Sequence, residues 1–407
     1  MPARYRPDPG RAALAKRLHA LLAAQVPARC GVYVGLAEPG PQSANHAMVT
    51  HSIARHLVAG DTDCLPWFNT SPPPVLRILT AASWQRADAM VVRPEAMPDD
   101  LASDTWCALV EMLAADRPSS NTQMTVTVDL LIRLGFVRLA AELLGVSGET
   151  NLKGLRFSPS TARAELATMS RLMPQSVELV ALATNAAEDL RYTPRQRIAF
   201  ANLAMVRHGK SGKDSPLLDK AFAAGTEAMN TMRQDSFEYW MTRHTFYRAA
   251  AYIPFLRGAR DDTLRLLGYA KDAVLSARPR TDLEQLSLAD HLFPMYETLA
   301  RTFGIYGLLN EALAATDELV RLSPCDYRTW FARGQVLLRL GRLDDAIATY
   351  ERVHTGGGHP VGQAAYYAGF AHEALGRTAE AIEAYQLADR IDPTVPAVQE
   401  RLHGLLA

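Results

Sequence analysis

Closely spaced cysteines are missing from this sequence. Its four cysteines are Cys30, Cys64, Cys107 and Cys325, and no two of them form a CxxC pair. Zinc knuckles and dithiol redox motifs place such pairs close together, so the sequence predicts neither. Buried reduced thiols are the simpler interpretation, and we expect no bound metal and no cofactor.

A net charge is also missing, because lysine plus arginine and aspartate plus glutamate both count 43. Proteins that bind nucleic acid or anionic membrane surfaces usually carry a basic excess, so we expect neither partner. The sequence has no apolar run near the ~20 residues of a membrane span, and no clean signal-peptide stretch follows its basic start. These absences predict a cytoplasmic protein, with an Arg- and Ala-rich organelle transit peptide as the alternative.

The familiar catalytic motifs are absent as well, since no GxSxG elbow, HExxH helix, GxGxxG after a strand or EF-hand loop is present. Residues 204–211 fit a permissive phosphate-binding loop. A helical pattern replaces the strand that should precede such a loop, and the next helix is expected only after Ser215. We therefore interpret this segment as a flexible loop between helices, and the DxD tripeptide at residues 61–63 as an ordinary turn.

Three histidines recur at five-residue intervals in a helix expected over residues 43–59. His46, His51 and His56 are each rotated by roughly 140° from the last, because a helix turns about 100° per residue. Ligands on one helical face need separations of three or four residues. The three rings therefore cannot form one metal site by themselves. Surface or capping roles are expected, and a site that combines one or two rings with carboxylates from elsewhere is the alternative.

The clearest positive feature is a period of 34 to 35 residues near the C-terminal end. Three glycines recur at this spacing, and an alanine follows each of them at the head of a short helical pattern. These residues are Gly307, Gly341, Gly376, Ala312, Ala346 and Ala381. Such a period is typical of arrays of helix pairs, in which each pair buries its apolar face only by stacking on its neighbours.

Further residues come into register when the units, about residues 293–326, 327–361 and 362–395, are laid over one another. The shared aromatic, apolar, small and proline positions are Tyr296, Leu299, Ala300, Phe303, Leu319, Pro324, Trp330, Gly334, Leu337, Tyr350, Val353, Gly369, Tyr385, Ala388 and Pro393. This pattern resembles the tetratricopeptide repeat family. The resemblance implies a right-handed α-α superhelix that binds proteins or peptides, and residues 396–406 resemble the helix that ends such arrays.

A degenerate fourth repeat is predicted upstream, where Gly258 aligns with the turn glycines and Thr263 with the small position. Gly258 precedes Gly307 by 49 residues, about fifteen more than the repeat period. The extra residues include Pro279 and Arg280. Helical spacing of apolar residues predicts further helix pairs over residues 160–173, 176–190, 194–207 and 216–232.

The first part of the chain lacks the repeat pattern, so we expect a mainly α protein with a separate N-terminal domain that is mostly helical or small α/β. Helices are expected there over residues 11–25, 43–59, 75–86, 100–115 and 129–144. Short strands are expected over residues 31–36, 89–92 and 124–128, and the last of these could equally begin the helix that follows. The expected regions are residues 1–155, the N-terminal domain; 156–292, degenerate hairpins; and 293–407, three repeats with a capping helix.

The family resemblance also implies which residues face a bound partner, namely positions 2, 5, 9, 12 and 13 of each unit. On this chain they include Glu297, Arg301, Arg328, Phe331, Gln335, Arg339, Gln363, Tyr366, Phe370 and Glu373. Arginine binds carboxylates bidentately and aromatic rings supply rigid contact area, so a peptide with acidic and apolar side chains is the expected ligand. Relatives that hold the C-terminal carboxylate of chaperones use asparagine at position 9, which is absent here, so that ligand is disfavoured.

The leading functional hypothesis is an adaptor or scaffold that binds a peptide or protein segment through this basic and aromatic groove. Chemistry would then belong to its partners. One alternative is a peptide-modifying or biosynthetic enzyme whose active site lies in or next to the N-terminal domain, motivated by His46, His51, Cys64 and the polar loop 61–69. A third hypothesis is a regulator in which peptide binding changes the curvature of the array.

Overall fold

A computed structural model of the protein describes residues 45–66, 68, 120–134, 137–152, 154–173, 176–324, 327–353 and 359–407. Within these residues the regular secondary structure is helical and no strand is present, which confirms the mainly α fold class. The helices expected over residues 11–25, 75–86 and 100–115 and the strands expected over 31–36 and 89–92 lie outside the described residues.

The helices of the first half are α1 (Asn45–Ala59), α2 (Asn121–Leu134), α3 (Val137–Leu144), α4 (Ala162–Leu172), α5 (Val177–Glu188), α6 (Pro194–Ser211), α7 (Pro216–Asn230) and α8 (Phe237–Ala250). Those of the second half are α9 (Tyr252–Leu256), α10 (Arg260–Ser276), α11 (Asp282–Ile305), α12 (Leu309–Leu322), α13 (Tyr327–Arg339), α14 (Leu343–Val353), α15 (His359–Ala374), α16 (Thr378–Ile391) and α17 (Pro396–Leu406). None of these helices is long and apolar enough to cross a membrane.

Two compact units contain the described residues. The upstream unit holds residues 55–68 and 120–295 as far as they are described, and the repeat unit holds residues 45–54 and the described part of 296–407. The boundary falls in α11, one residue after the helical Pro294. Because proline has no backbone N–H, the helix lacks one hydrogen bond at this point. The division at residues 155 and 292 stays a prediction.

The helices of the upstream unit begin at side chains that cap them. Ser176 and Ser215 accept backbone hydrogen bonds at the starts of α5 and α7, and Thr193 forms a capping box with Gln196 at the start of α6. Such caps satisfy N–H groups that have no partner inside the helix. Pro216 occupies the first turn of α7, where the N–H that proline lacks would have no partner inside the helix.

Aromatic side chains fill part of the core between these helices. Phe157 stacks on Phe200 with ring centroids 5.4 Å apart, and Tyr192 meets Phe200 edge-on at 4.9 Å. The buried Tyr192 hydroxyl donates to the Phe157 carbonyl oxygen at 2.8 Å, so its polar end is satisfied. Helix α6 lies against α5, α7 and α8, which makes it the central helix of this core.

The interpretation of residues 204–211 as a loop is wrong, because they form the last two turns of α6. Gly212, with φ +68°, ends the helix in the left-handed conformation that favours glycine. The preceding Gly209 lies against the ring of Tyr252, where a Cβ atom would collide. Since these backbone N–H groups belong to a helix, the segment forms no phosphate cradle.

The strand considered at residues 124–128 is also wrong, because these residues are helical and lie inside α2. The alternative interpretation, that this segment begins the next helix, is correct. The single helix expected over residues 129–144 is instead divided between α2 and α3, which contact each other and α4. Buried apolar residues on this short pair, including Val128, Leu131 and Ala140, form a small core with Ala164.

The repeat unit has the geometry that the glycine spacing predicts. Consecutive helices from α12 to α17 pack on one another, and α17 occupies the position expected for the capping helix. The small residues Ala312, Ala346 and Ala381 are fully buried. The turn glycines Gly307, Gly341 and Gly376 have φ between +72° and +75°, and Gly258, which lies in the upstream unit, has φ +69°.

One backbone hydrogen bond recurs at all four of these turns. The residue after each glycine donates its N–H to the carbonyl five positions earlier, at 2.8 to 3.0 Å. The donor and acceptor pairs are Ala259 and Pro254, Leu308 and Phe303, Arg342 and Leu337, and Arg377 and His372. This bond and a left-handed glycine define a Schellman helix end. Gly258 therefore has the same turn as the clear repeats, and Thr263 is buried like the alanines.

The extra residues between Gly258 and Gly307 are largely helical. Helix α11 has 24 residues, whereas α13 and α15 have 13 and 16. A lengthened helix, rather than a long loop, therefore accounts for most of the departure from the repeat period.

Candidate functional site

The candidate binding surface consists of the ten side chains that the repeat pattern predicts on α11, α13 and α15. All of them retain some solvent exposure. The exposed ones are Arg301, Arg339, Gln363 and Phe370, and the half-buried ones are Glu297, Arg328, Phe331, Gln335, Tyr366 and Glu373. None is withdrawn into the core, so each could contact a partner.

Two of the aromatic residues also contribute to packing between helices. Phe331 has its ring 6.0 Å from Tyr350 and 5.8 Å from Tyr367, and Tyr350 stacks on Tyr367 at 6.0 Å. Tyr366 contacts Tyr367 at 5.2 Å and Tyr385 at 5.8 Å. Because these rings are held by neighbours, their accessible edges are rigid, which lowers the entropy lost when they contact a ligand.

The paired helices approach closely because glycine faces a tyrosine ring. A Cβ atom on Gly334 would lie 2.5 Å from the Tyr350 ring, and one on Gly369 would lie 2.8 Å from the Tyr385 ring. Both tyrosines are fully buried, and this burial raises the pKa of each phenol. The hydroxyls therefore stay protonated at neutral pH and act as uncharged packing groups.

Two arginines dominate the charge of the surface. Nη1 of Arg339, on α13, lies 2.9 Å from the position that a Cβ atom on Gly304 would occupy, so its guanidinium covers α11 at that point. Arg301 lies three residues before Gly304, on the same helical face. Among the residues that the structure describes, neither guanidinium has an ion-pair partner, although Glu297 is one turn before Arg301. Both can therefore bind an external anion.

The third repeat is different, because its acidic residue is already engaged. Glu373 accepts a hydrogen bond from the Tyr385 hydroxyl and another from Arg401 of the capping helix, both at 2.8 Å. The Arg401 guanidinium also lies 5.5 Å above the ring of Phe370. The charge of Glu373 is thus compensated within the repeat unit, and the surplus charge of the surface is positive around Arg301 and Arg339.

A second cluster of reactive side chains lies at the end of α1. His56 is in the last turn of this helix, and Asp61 and Cys64 are in the turn that follows. Cys64 is exposed, so the expectation of a buried thiol is wrong for this residue. One ligand atom from each of the three lies within 4.8 Å of the other two. The side chains of His46 and His51, also considered from the sequence, lie outside the described residues.

The sequence allowed a site that combines one or two histidines with carboxylates from elsewhere, but it did not single out His56 with Asp61 and Cys64, because the histidines were considered as members of one helix. Gly60, with φ +75°, ends α1, and the Asp61 N–H donates to the His56 carbonyl oxygen at 3.0 Å. The chain therefore reverses and brings the turn back beside the histidine. A histidine in the last helical turn, followed by a glycine and then by Asp and Cys, was the available signal.

Comparison with protein families identifies the repeats. Residues 307–360 and 352–396 match the tetratricopeptide repeat family. The C-terminal part of this chain therefore contains tetratricopeptide repeats, in agreement with the turn geometry and the close glycine contacts. No curated protein matches the chain.

Similar solved structures include two of MamA from Desulfovibrio magneticus RS-1. One spans residue 41 to the end with a TM-score of 0.32, and the other is the ArsTM double mutant with a TM-score of 0.31. Each is 21% identical and covers 40% of this chain and 83% of its own. YrrB, described as a tetratricopeptide repeat protein with an unusual peptide-binding site, is 15% identical, covers 58% and 96%, and has a TM-score of 0.34.

Proposed function

We propose that this protein is an adaptor that binds an acidic peptide segment through the candidate binding surface. Tetratricopeptide repeats support a role in protein interaction in general. The observation that carries the specific proposal is that neither Arg301 nor Arg339 has an ion-pair partner among the described residues, while Nη1 of Arg339 lies against Gly304, one turn after Arg301. Two cations on one face repel each other, so an anionic ligand that contacts both relieves an existing cost.

The residues of the candidate binding surface favour a ligand that contains both acidic and apolar side chains. An arginine fork binds a carboxylate through two parallel hydrogen bonds, which Asp, Glu or a chain terminus can supply. On the same predicted surface, the half-buried Phe331 and Tyr366 and the exposed Phe370 offer contacts to apolar side chains. The proposed ligand therefore has one or two carboxylates followed by an apolar or aromatic residue.

A displayed library of random peptides, panned against the full chain, tests this ligand class directly. We expect enrichment of Asp or Glu adjacent to apolar residues. The selected peptide should then bind Arg301→Glu and Arg339→Glu each about tenfold or more weakly, because a hydrogen bond to a charged group contributes about 1.5–3 kcal/mol. Binding should also weaken with added salt.

Arg321→Glu is the matched control for these substitutions. Arg321 is exposed on α12, the second helix of its pair, is paired with Glu318, and does not belong to the ten residues of the candidate binding surface. It should leave peptide affinity unchanged, and all three variants should keep the unfolding temperature of the parent. Equal affinity of the parent and the two surface variants, or enrichment of basic peptides, would show that the proposal is wrong.

The enzyme hypothesis has one observation in its favour, the cluster of His56, Asp61 and Cys64 at the end of α1. Native and denaturing mass spectrometry of the protein from its own host separates the two hypotheses. A small molecule lost on denaturation supports the enzyme, whereas a co-purified polypeptide that depends on residues 293–407 supports the adaptor. The regulator hypothesis and the cytoplasmic location stay predictions from the sequence.

A further inference from the structure

We propose that His56, Asp61 and Cys64 form a binding site for one transition-metal ion, with Zn²⁺ as the ion that the ligand set fits best. The proposal rests on the juxtaposition of an imidazole nitrogen, a carboxylate oxygen and a thiol sulfur within 4.8 Å of one another. It is independent of peptide binding at the repeats.

The geometry requires only a small closure around the ion. Zinc binds nitrogen and oxygen at about 2.0–2.2 Å and sulfur at about 2.3 Å, so tetrahedral ligand atoms are about 3.3–3.8 Å apart. The present separations of up to 4.8 Å exceed this by about 1–1.5 Å at most. Asp61 and Cys64 are exposed, so rotation of their side chains meets no packing cost.

The backbone that carries the three ligands is already fixed. The N–H of Gly60 donates to the Leu57 carbonyl oxygen at 3.2 Å, and that of Leu65 donates to Thr62 at 3.3 Å. Leu57 and Thr62 are buried, so the helix end and the turn are both anchored in the core. A preorganised turn lowers the entropy lost on metal binding and brings together ligands that are eight residues apart.

The identity of the ligands selects the metal. A thiolate and an imidazole favour Zn²⁺ over Mg²⁺ or Ca²⁺, which prefer sites made of oxygen alone. The Cys64 thiol now donates to the Asp61 carbonyl oxygen at 3.4 Å. Metal binding breaks the S–H bond, releases that proton to solvent and forms a metal–thiolate bond, while His56 binds as neutral imidazole. Three protein ligands leave a fourth tetrahedral position for water or another group.

Cobalt titration of the full chain, after removal of metal with a chelator, tests the site. Co²⁺ reports tetrahedral coordination through its visible absorption and thiolate coordination through near-ultraviolet charge transfer. We expect saturation at one Co²⁺ per chain with both signals, and displacement by added Zn²⁺. Isothermal titration with Zn²⁺ in two buffers of different ionisation enthalpy should also detect the released proton.

Substitutions locate the bound ion. Cys64→Ser should abolish the charge-transfer band, and Cys64→Ser and His56→Gln should each weaken Zn²⁺ binding about 100-fold or more, since loss of contacts outside the first shell alone costs about 10–100-fold. Asp63→Asn is the matched control, because this neighbouring carboxylate does not belong to the cluster, and it should bind as the parent does. Cys325→Ser removes a different cysteine and should also leave binding unchanged, since the proposal assigns the thiolate to Cys64.

Three results would overturn the proposal. They are a parent protein that shows no thiolate band at saturating Co²⁺, a Cys64→Ser variant that binds Zn²⁺ as tightly as the parent, and loss of the band in Cys325→Ser instead. Circular dichroism of each variant confirms that binding is compared between equally folded proteins.

Discussion

Replacement of Gly334 by alanine tests the packing that defines the middle repeat. Gly334 lies on α13 opposite Tyr350 of α14, and an added Cβ atom would lie 2.5 Å from Cε1 and 2.7 Å from Cζ of that ring. Real Cβ atoms do not approach an aromatic carbon so closely. Because Tyr350 is fully buried and held by Phe331 and Tyr367, its ring cannot rotate away without disturbing both neighbours.

The expected cost follows from two opposing effects. Overpacking a well-filled core costs about 1–3 kcal/mol. Alanine stabilises a helix interior by about 0.8–1.0 kcal/mol relative to glycine, which opposes this cost. We expect the upper end of the overpacking range here, so Gly334→Ala should lower the free energy of unfolding by about 2 kcal/mol. Gly369→Ala should cost less, because its Cβ atom would lie 2.8 Å from Tyr385.

The first repeat suggests how to test whether the collision with the Tyr350 ring causes the loss of stability in Gly334→Ala. At the positions equivalent to Gly334 and Tyr350 it has Ala300 and Thr316, both buried. The first repeat therefore combines alanine in place of glycine with threonine in place of the larger tyrosine. A double-mutant cycle that combines Gly334→Ala with Tyr350→Thr should therefore show coupling. With threonine at position 350, Gly334→Ala should be neutral or stabilising.

Urea unfolding and hydrogen exchange of α13 and α14 measure these differences. Gly268→Ala, in the middle of α10 with nothing within 4 Å of its added Cβ atom, is the matched control. It should stabilise the upstream unit by about 0.8–1.0 kcal/mol through helix propensity alone. An equal cost of Gly334→Ala with tyrosine or with threonine at position 350 would refute the reasoning.

Two further predictions concern buried groups of the upstream unit. Asp290→Asn removes the negative charge that lies 3.0 Å from the equally buried guanidinium of Arg133, so urea unfolding should show a loss of about 3–5 kcal/mol; a loss below about 1 kcal/mol contradicts this. Burial of the His244 ring is the main cause that lowers its pKa well below 6.5, and the charge of the nearby His291 lowers it further. The unfolded chain therefore binds a proton that the folded chain excludes. Stability should therefore fall as the pH decreases below about 6.5, and less steeply in His244→Gln; an equal pH dependence in both proteins contradicts this.

Local sequence patterns were sufficient to predict the repeat unit. A glycine that ends a helix and an alanine that begins the tightly packed next helix act within a few residues, so their spacing is visible in the sequence. The same reasoning located Gly258 and Thr263, although the rest of that repeat is degenerate. The helices α4 to α7 were likewise predictable from apolar periodicity and from caps such as Ser215.

Only the tertiary structure decided which side chains meet across longer distances. Residues 204–211 resemble a phosphate loop by composition, yet they continue α6 until Gly212, and Gly209 within them packs closely on Tyr252. Likewise, pairing of Glu373 with Arg401, 28 residues away, depends on where the capping helix docks. A linear pattern does not contain these contacts, because they depend on the orientation of separate helices.

The candidate sites also combine features that the sequence predicts with contacts that only the tertiary structure reveals. The resemblance to the repeat family predicted which positions of α11, α13 and α15 face a bound partner, and this assignment stays a prediction. The sequence did not reveal that Arg339 lies over Gly304, or that Glu373 pairs with Tyr385 and Arg401. These contacts leave the remaining charge near Arg301 and Arg339 positive. Nor did the sequence reveal that a helix-ending glycine brings Asp61 and Cys64 back to His56. Periodicity specifies faces, whereas chain reversal and helix docking decide which chemical groups become neighbours.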